Sequence, residues 1–584
     1  MYKFDPFAIP FLIGFAFVIG WVIVRMIQIF IGMPKKDKKR VFVNIFTFKT
    51  VRGIGEIISE VLIHHRIWRE NKLLGFMHMS FALGWFLLIV TGWIESSLRA
   101  NGETLPIWQH IFYKYFFPGE HVFRLSDVIK QLMDLWLAVI LLGQLIAVLK
   151  RFFYRRAGIK IRTRHSRMNR IALTALWFIF PLRLLAESCT ASLYGGGGFL
   201  TGSLGQLIAW IGDASFITYP MWWAYSIALG VFFCVLPFSR YLHIPVEAFL
   251  ILARRWRVSD ITTINRLETM ACSACGMCLS DCPLARNNIA GVQPVYFIER
   301  LRDGKATTDD AWKCLQCGRC QQICPVRVHA NNLRQELKGS TDRVEFGLDT
   351  HKRVLAKRVT LFSGCMGKLT PRTKAAMEKI LNAAGVEQTW IDEERDLCCG
   401  RPLRFNGNQN TANQKFNELH DAILETRPDA IVTTCPICFN MMKNRFETIP
   451  VYHHTDYIRM LIEAKRIDLE RSEETLTYHD PCELSRQAEY ARQPLKVLNR
   501  VGTMLQPEET GEKTRCCGGA VAAIGLNNSE RKTLAQETAD YLSNRNADKI
   551  VTACPLCKKT IAQRSKRPVA DFAEIVADAL VERE

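Results

Sequence analysis

Long uncharged apolar stretches occupy the first part of the chain, whereas later apolar runs are short and separated by polar residues. An apolar stretch of about 18 residues or more is long enough to cross a ~30 Å bilayer core as a helix. Arg183 and Glu187 interrupt the fourth such stretch, which is therefore the weakest. The pattern predicts five transmembrane helices, at residues 7–24 (with apolar character continuing to 31), 73–94, 132–149, 171–194 and 214–239.

The basic residues predict the orientation of this membrane part. Ten Lys and Arg fall in 33–72 and nine in 150–170, against three in 94–127 and none in 187–219. Because basic connections stay in the cytoplasm, we expect a multi-pass protein of the cytoplasmic (inner) membrane with its N-terminus outside. Everything after Arg240 then lies in the cytoplasm. The net charge of +20 is explained by membrane topology, and no nucleic-acid partner is expected.

Cysteine spacing after residue 255 is typical of iron–sulfur ligation. Of 20 cysteines, 18 lie between Cys272 and Cys557, and a Cys-x-x-Cys-x-x-Cys-x-x-x-Cys-Pro motif occurs twice within 256–345, here called the ferredoxin segment. Three cysteines at this spacing bind one cubane [4Fe–4S] cluster, while the fourth, before the proline, reaches the other cluster. Two structural zinc sites are the less favoured alternative. The predicted ligand sets are Cys272, Cys275, Cys278 and Cys324 for one cluster, and Cys314, Cys317, Cys320 and Cys282 for the other.

A second duplication follows, in segments 346–470 (copy 1) and 471–584 (copy 2). Each copy has a lone Cys, a Cys-Cys pair and a Cys-x-x-Cys, with 32 and 35 residues between them in copy 1 and 33 and 36 in copy 2. Five cysteines exceed the four ligands of tetrahedral zinc, which favours a larger iron–sulfur assembly. Apolar runs at 430–434 and 549–552, with helical patterns between them, predict two small α/β units. The cysteines are Cys365, Cys398, Cys399, Cys435 and Cys438 in copy 1, and Cys482, Cys516, Cys517, Cys554 and Cys557 in copy 2.

Both copies resemble the cysteine-rich CCG domain of the heterodisulfide reductase family, over 346–584. This family includes a catalytic subunit and relatives that serve lactate, glycolate and electron-transfer flavoprotein oxidation. In the catalytic subunit each complete five-cysteine set holds a noncubane [4Fe–4S] cluster at which a disulfide is reduced. The resemblance therefore implies one or two such clusters here and a catalytic role for all ten cysteines. Many relatives have lost cysteines from one copy, whereas this chain keeps both sets.

Two histidines in the apolar part are candidate haem ligands. His78 lies six residues into the second predicted helix, and His243 lies just beyond the cytoplasmic end of the fifth, so the topology puts both at a similar depth. A b-type haem with two axial histidines needs imidazoles from neighbouring helices at one level, and ionisable side chains in a span are costly enough to suggest function. His65 is the alternative ligand.

Residues 1–250 resemble the five-helix haem b subunit of respiratory nitrate reductase, whose second and fifth helices each supply two histidines. The resemblance implies a cytochrome b-like domain at 1–255. Here Leu88 and Tyr225 stand roughly where the outer pair of histidines is expected, so we predict one haem b. Arg183 and Glu187, four residues apart, either form an intrahelical ion pair or line a quinone or haem-propionate site.

The expected architecture is multidomain: a five-helix transmembrane bundle (1–255), an α-helical two-cluster ferredoxin-like domain (256–345) and two α/β CCG domains (346–470 and 471–584). The order of centres predicts an oxidoreductase that transfers electrons between a membrane quinone and a soluble cytosolic redox protein. The combination resembles membrane flavoprotein:quinone oxidoreductases, which implies electron-transfer flavoprotein as the partner and menaquinone as the acceptor.

Two other functions stay open. A quinol-dependent reductase of a heterodisulfide or protein disulfide is favoured by the two intact five-cysteine sets, and a non-catalytic membrane scaffold with metal-stabilised cytosolic domains is the third hypothesis. The chain has no Gly-rich phosphate loop or dinucleotide fingerprint, so we expect no nucleotide or flavin site of its own. Further subunits are compatible with each of these functions.

Overall fold

The chain divides into two units, Met1–Gly276 and Met277–Glu584. The computed structural model describes residues 4–581 except 101–102, 120–124, 154–162, 290–292, 341–353, 444, 447, 487–492, 520 and 522–523. The boundary between the units falls inside the ferredoxin segment, directly before the third cysteine of its first motif. Each unit is therefore described by itself.

Five long helices form the first unit and confirm the predicted number of spans. Each is long and apolar enough to cross a membrane, and side chains such as Trp93 and Phe216 stay exposed to the protein's surroundings. Outward-facing apolar side chains of this kind are what a lipid environment requires. Within the described part of the chain the spans are Pro6–Gly32, Lys72–Ala100, Ser126–Phe152, Arg167–Tyr194 and Ser215–Phe238.

Small residues bring the first and last spans into close contact. A methyl group on Gly14 would lie 2.6 Å from the carbonyl oxygen of Gly230, and one on Gly230 would meet the carbonyl of Pro10. Ser226 also accepts a hydrogen bond from the backbone N–H of Phe11, at 3.3 Å. Glycine permits such close backbone approach between membrane helices, where dispersion contacts replace the hydrophobic effect.

Shorter helices, which the hydropathy pattern does not predict, connect the spans. Phe199–Ile211 is an apolar helix of 13 residues, held by Asp134, whose carboxylate accepts hydrogen bonds from the backbone N–H groups of Leu200 and Thr201 at 2.7 and 2.8 Å. The other short helical elements of this unit are Lys35–Asn44, Phe48–Ile57, the π-helical turn Ile58–Leu62, His65–Glu70, Ile107–Ile111, Tyr113–Phe116, Arg240–Leu242, His243–Arg255 and Ile261–Ala271.

The second unit begins with the helical remainder of the ferredoxin segment. Its short helices are interrupted at the cysteine motifs by turns, as in the backbone at Gly318, which has a φ of 74°. This agrees with the predicted α-helical character. The helices are Met277–Asp281, Pro283–Arg286, Pro294–Arg302, Thr308–Trp312, Arg319–Gln322 and Ala330–Leu337.

Two small parallel sheets follow and confirm the predicted α/β duplication. The strands of copy 1 are β1 (Arg358–Phe362), β2 (Glu387–Trp390), β3 (Ala430–Thr433) and β4 (Val451–His453), in the order β2-β1-β3-β4. Those of copy 2 are β5 (Thr475–His479), β6 (Thr503–Met504), β7 (Lys549–Thr552) and β8 (Val569–Asp571), in the equivalent order β6-β5-β7-β8. All strand pairs are parallel, and Phe362 pairs with Thr433 in the register.

Helices connect the strands, and one core extends through both copies. Buried side chains from copy 1, such as Leu361 and Tyr457, belong to the same apolar cluster as Leu498, Val551 and Phe572 of copy 2. The copies therefore pack against each other through a shared core. The helices are Pro371–Ala383, Arg401–Phe405, Gln409–Glu425, Pro436–Met442 and His454–Glu463 in copy 1, and Cys482–Ser485, Gln493–Val501, Asn528–Ser543, Pro555–Ala562 and Phe572–Asp578 in copy 2.

Replacing Gly14 with alanine should destabilise the membrane unit. The added methyl group would press on the backbone of Gly230, and overpacking of this kind costs about 1–3 kcal/mol. We expect a lower midpoint of thermal unfolding in detergent, measured by circular dichroism.

Gly20 on the same helix is the matched control, because no atom lies within 4 Å of the position its methyl group would occupy. Gly20→Ala should leave the midpoint unchanged or raise it slightly, since alanine is favoured over glycine in helices by roughly 0.5–1 kcal/mol. Equal midpoints for the two variants would show that spans one and five are not in this contact.

Candidate functional site

The cysteines of each copy gather at the carboxyl ends of its parallel strands. Cys365 comes three residues after β1, and Cys435 comes two residues after β3, the neighbouring strand. Because adjacent parallel strands end at the same edge of a sheet, side chains that follow them converge there. Cys482 and Cys554 occupy the same places after β5 and β7.

The Cys-Cys-Gly sequence adds two thiols to each group through a tight turn. Gly400 and Gly518, which follow the cysteine pairs, have φ values of 78° and 82°, in the left-handed region that favours glycine. A side chain on Gly518 would also meet the backbone N of Ala535 at 2.7 Å. Glycine is required here because the turn must hold both preceding thiols close to the strand ends.

The five thiols of copy 1 lie close together. The thiols of Cys398 and Cys438 donate to Cys399 and lower its pKa, while Cys438 also contacts Cys435. Cys365 is exposed. Partial burial of its sulfur and the nearby thiols of Cys435 and Cys399 nevertheless raise the pKa of Cys365 to about 11. The structure therefore brings the predicted set together.

Copy 2 brings its five thiols together in the same way, with more burial. Cys516 and Cys557 donate to Cys517 and lower its pKa, and the Cys557 and Cys517 sulfurs are 3.3 Å apart. Cys482 contacts Cys516, and Cys554 contacts Cys557. Four of these cysteines are buried, and Cys482 is half-buried.

The second cysteine set of the ferredoxin segment also converges. Desolvation, with the neighbouring Cys314, Cys317 and Cys282 thiols, raises the pKa of Cys320. Burial, with Cys314 and Cys317 nearby, raises the pKa of Cys282 to about 12. Cys282 thus lies with the triad of the second motif, where the spacing predicted it.

The first predicted set is divided between the two units. Cys272 and the exposed Cys275 belong to the first unit. Cys278 and Cys324 belong to the second, where the Cys324 sulfur accepts a hydrogen bond from the backbone N–H of Val328 at 3.4 Å. The assignment of these four residues to one cluster stays a prediction.

Cys317 and Cys516 connect the ferredoxin segment to copy 2. The Cys516 thiol lies against the Cys317 sulfur, and this interaction outweighs desolvation and lowers the pKa of Cys317 to about 6. Both sulfurs belong to one apolar cluster, together with Cys282, Leu315 and Leu534. A thiol of one predicted cubane site therefore touches a thiol of a CCG site.

An ionic seam surrounds this contact. Arg286 and Arg319 of the ferredoxin segment pair with Glu509 of copy 2, and Arg286 also reaches Glu537 at 3.4 Å. Arg515 pairs with Glu509 and Glu537 at 3.0 and 3.2 Å. Partial burial acts to raise the pKa of Glu509, but the Arg515 hydrogen bond and the charges of Arg319 and Arg286 lower it below its usual value.

The two CCG sites also face each other. Cys554 of copy 2 is close enough to Cys435 of copy 1 for their charges to interact. Beside them, Arg401 approaches Glu483 at 3.4 Å, and Asn440 donates to the Glu483 carboxylate at 2.9 Å. The thiols of the second ferredoxin set, of copy 2 and of copy 1 therefore lie near one another in the second unit.

His479 is a site residue that the sequence reasoning missed. It is buried beside Cys517, and its Nδ1 lies 3.3 Å from the Thr552 hydroxyl, while among the described residues its Nε2 has no hydrogen-bond partner. The imidazole is therefore a buried polar group that lies beside the thiols of copy 2. Comparison of the two copies could have indicated His479, because it stands three residues before the lone cysteine of copy 2, where copy 1 has Phe362.

The thiol groups fit a polynuclear cluster by their number and packing. Five sulfurs in one shell exceed the ligands of a single tetrahedral ion. Within the ranges that the structure describes, no three His, Cys, Asp or Glu side chains surround a point suited to one metal ion. The sulfurs of each copy gather on loops at one edge of its sheet.

Three histidines lie together at one end of the membrane bundle. The rings of His64 and His78 stack with centroids 5.5 Å apart and planes at 22°, and His243 is close enough to interact electrostatically with His78. His243 donates through Nδ1 to the carbonyl of Arg240 at 2.6 Å, a type of contact that orients the ring in many metal-ligating histidines. All three rings are half-buried.

His64 was not predicted, whereas His65, the proposed alternative, is exposed at the start of a surface helix. His64 follows the π-helical turn Ile58–Leu62 and adopts a left-handed conformation with a φ of 58°. Its position depends on this irregular backbone, which hydropathy does not reveal. π-Helical turns are frequent at functional sites.

Arg183 and Glu187 form the predicted intrahelical ion pair. The Arg183 guanidinium donates to the Glu187 carboxylate at 2.9 Å, and both side chains are buried in the bundle. Tyr225, on the fifth span, contacts Arg183. The pair therefore bridges spans four and five.

Comparison with known proteins agrees with the two cysteine duplications. Residues 359–443 and 476–562 each match the Cysteine-rich domain family, CCG, and residues 268–328 match the 4Fe-4S dicluster domain family. The chain contains two CCG domains and a ferredoxin-type dicluster domain, as predicted. These matches support iron–sulfur clusters as its cofactors.

Curated relatives are similar to between about a third and a half of the chain. One subunit of the dihydromethanophenazine:CoB–CoM heterodisulfide reductase from Methanosarcina acetivorans is 25% identical over 55% of this chain and 96% of its own length. A probable membrane-anchored ferredoxin of Chromohalobacter salexigens is 25% identical over 55% of this chain and 49% of its own. The EtfAB:quinone oxidoreductase of Syntrophomonas wolfei is 27% identical over 37% of this chain and 33% of its own.

These relatives confirm the predicted class of protein. Two of the three are named oxidoreductases, and the third is named as a membrane-anchored iron–sulfur protein. Together with the five apolar helices, they identify a membrane-anchored iron–sulfur oxidoreductase. The chain spans only half the length of the ferredoxin relative and a third of the quinone oxidoreductase.

The ionic seam predicts an acid-sensitive stability. Because the pKa of Glu509 is lowered in the folded chain, its stabilising contribution is complete above the unfolded value of about 4.3 and is lost as the pH falls through the folded value. Glu509→Gln should lower stability at pH 7 by roughly 1–3 kcal/mol and weaken the loss between pH 7 and pH 3. Thermal midpoints at the two pH values measure both effects.

Glu425→Gln is the matched control. Glu425 pairs with Arg395 at 2.8 Å, but both side chains are more than half exposed, at 61% and 57%. Exposed pairs contribute about 0–1 kcal/mol, so this variant should melt like the unmodified protein. A midpoint for Glu509→Gln equal to that of the control would contradict a stabilising role for the seam.

Proposed function

We propose that the protein transfers electrons from a soluble flavoprotein, of the electron-transfer flavoprotein class, to a membrane quinone. The observation that carries this proposal is the position of the thiols in the second unit, where Cys317 of the ferredoxin-type site packs with Cys516 of copy 2 and Cys554 of copy 2 lies close to Cys435 of copy 1. A chain of redox sites anchored by five apolar helices suits transfer between a soluble donor and a membrane acceptor. The similarity to EtfAB:quinone oxidoreductase supports this pair of reactants.

The cysteines hold the clusters in this proposal. Cys272, Cys275, Cys278 and Cys324 bind one cubane [4Fe–4S] cluster, and Cys314, Cys317, Cys320 and Cys282 bind the other. The five cysteines of each copy bind a noncubane cluster. These groups supply one-electron redox chemistry, while the chain fixes their order and shields them from water. About sixteen iron atoms per chain follow from this count.

One haem b, bound by His78 and His243, is the proposed group in the membrane part. We place this end of the bundle at the cytoplasmic side, with the N-terminus outside, because basic residues concentrate in the connections at that end. Menaquinone then receives the electrons within the membrane. The buried Arg183–Glu187 pair with Tyr225 is a polar site in the bundle to which a quinone could bind.

The test is anaerobic mixing of the detergent-solubilised protein with a reduced electron-transfer flavoprotein and a menaquinone analogue. We expect flavoprotein oxidation to depend on the protein and to be accompanied by reduction of the cluster signals and of the quinone. Flavoprotein oxidation at the rate seen without the protein would reject the proposal. Iron and sulfide analysis of the same sample distinguishes an iron–sulfur protein from a zinc-stabilised scaffold.

A quinol-dependent disulfide reductase is the second candidate. It is favoured by the two complete five-cysteine sets and by similarity to the Methanosarcina acetivorans heterodisulfide reductase chain over 96% of its length. In this direction a quinol gives two electrons and two protons, and a disulfide takes up two of each to become two thiols. Reoxidation of quinol-reduced protein by an added heterodisulfide would support this function over flavoprotein oxidation.

Replacing either proposed haem ligand should remove the haem. His78→Leu and His243→Leu should each lose the haem absorption band and the haem iron, because each variant removes one of the two proposed axial ligands. The ratio of haem to iron–sulfur absorption in purified protein measures this. The cluster absorption itself should persist.

His65→Leu is the control, since His65 is exposed and should leave the haem content unchanged. His64→Leu separates two arrangements of the three histidines. Retention of haem in His64→Leu would support His243 as the partner of His78, whereas loss would place the iron between His64 and His78 instead.

A further inference from the structure

The two five-cysteine sets are built alike but differ in what covers them. In copy 1, Cys365 is exposed and Cys398 is half-buried. In copy 2, the equivalent Cys482 is half-buried and Cys516 is buried, at 3% exposure. Because the sheets and the cysteine spacing match, this difference comes from the surroundings of each copy.

The ferredoxin segment covers the thiols of copy 2. Cys516 packs with Cys282, Leu284 and Ile289 of that segment in one apolar cluster, and a methyl group on Gly525 would lie 2.8 Å from the backbone of Trp312. Water and soluble molecules are therefore kept from this side of copy 2.

The loop that precedes each cysteine pair shows the same contrast. In copy 2 this loop carries Glu509 and Arg515, and the Arg319 guanidinium pairs with Glu509 and donates to the backbone carbonyl of Lys513. In copy 1 residues 393–396 of the equivalent loop are exposed. Asp396 there is fully exposed and pairs with Lys368 at 2.7 Å, next to Cys365.

The ferredoxin segment reaches copy 1 at a different place. Lys338 donates to the backbone carbonyl of Phe405 at 3.0 Å, on the helix that follows the cysteine pair. This contact involves backbone rather than a thiol. Among the described residues, the contact between a thiol of the ferredoxin segment and a thiol of the CCG domains is that of Cys317 with Cys516.

We propose that copy 1 is the site where electrons are exchanged with the soluble partner, and that copy 2 is an internal relay between copy 1 and the ferredoxin segment. The proposal rests on the proposed function and identifies its partner-facing surface, formed by Cys365–Leu369 and residues 393–396. The occupant is a soluble protein that brings a flavin edge to this surface.

Each exchange at copy 1 moves one electron and leaves every bond of the chain intact. A flavin hydroquinone in the partner gives up two electrons in succession and releases two protons to the solvent. The electrons pass to copy 2 at Cys435 and Cys554, whose charges interact, and leave copy 2 at Cys516 and Cys317. Their final acceptor is the membrane quinone, which takes up two protons.

Two variants of the full-length protein separate copy 1 from copy 2. Each is mixed anaerobically with reduced flavoprotein and freeze-quenched for electron paramagnetic resonance (EPR) spectroscopy. In Cys482→Ser, the cluster signal of copy 1 should appear at the rate of the unmodified protein, while reduction of the ferredoxin clusters slows at least 100-fold. In Cys365→Ser, reduction of all remaining clusters should slow at least 100-fold.

Rapid reduction of the ferredoxin clusters in Cys365→Ser would overturn the proposal, because electrons would then enter at copy 2. Cys398→Ser in copy 1 and Cys554→Ser in copy 2 repeat the two tests at a second cysteine of each copy. Unchanged ferredoxin signals after dithionite reduction show that a variant has folded. If the unmodified protein also fails to react with the flavoprotein, the proposed donor is rejected, and the next measurement still decides which copy is exposed.

Exposure of the two copies is measured without any partner by adding Dy(III)–EDTA, a soluble relaxing agent, to the dithionite-reduced holoprotein. The Cys482→Ser and Cys365→Ser variants identify the EPR signals of copy 1 and copy 2. We expect the agent to raise the microwave power needed to saturate the copy 1 signal and to leave that of copy 2 nearly unchanged. An equal or larger effect on copy 2 would overturn the proposal.

Discussion

Convergence of thiols at the carboxyl ends of parallel strands is the constraint on which the second unit depends. A parallel sheet orients all its strands alike, so loops after β1 and β3, and after β5 and β7, meet at one edge. Each loop then needs only a few residues to place a sulfur among the others. The Cys-Cys-Gly turn completes the group because glycine accepts the left-handed backbone at Gly400 and Gly518.

Burial by neighbouring segments gives two equivalent groups of thiols different surroundings. The shared core fixes one copy against the other, and the Arg401–Glu483 and Asn440–Glu483 contacts cross between them beside the sulfurs. The apolar cluster around Cys516 and the ionic seam then attach the ferredoxin segment to copy 2. The relative positions of these thiol groups therefore follow from packing and charge pairing, without any change in the cysteine motif.

Local patterns revealed the elements of this protein, but not their long-range contacts. Five spans, the doubled ferredoxin motif and the duplicated α/β units were predictable because hydropathy, cysteine spacing and strand patterns act over short distances in the chain. The Cys317–Cys516 contact joins residues far apart in sequence, and no local pattern encodes it. His64 was missed because its position depends on a π-helical turn, and the helix Phe199–Ile211 because it is too short to resemble a span. His479 was missed because it lies in a strand whose sequence is typical of a buried core. Only comparison with Phe362, at the same position in copy 1, shows that a polar residue stands there.

The unequal covering of the two copies also bears on how the protein meets molecular oxygen. A reduced iron–sulfur group loses electrons to oxygen wherever the gas reaches its sulfurs, and thiols so exposed are open to oxidation. Cys365 is the exposed thiol among the ten of the CCG domains, whereas Cys516 lies under the ferredoxin segment. Oxidative damage is thereby directed to the outer end of the series of thiols, and the sites nearer the ferredoxin segment are protected by the protein packed over them.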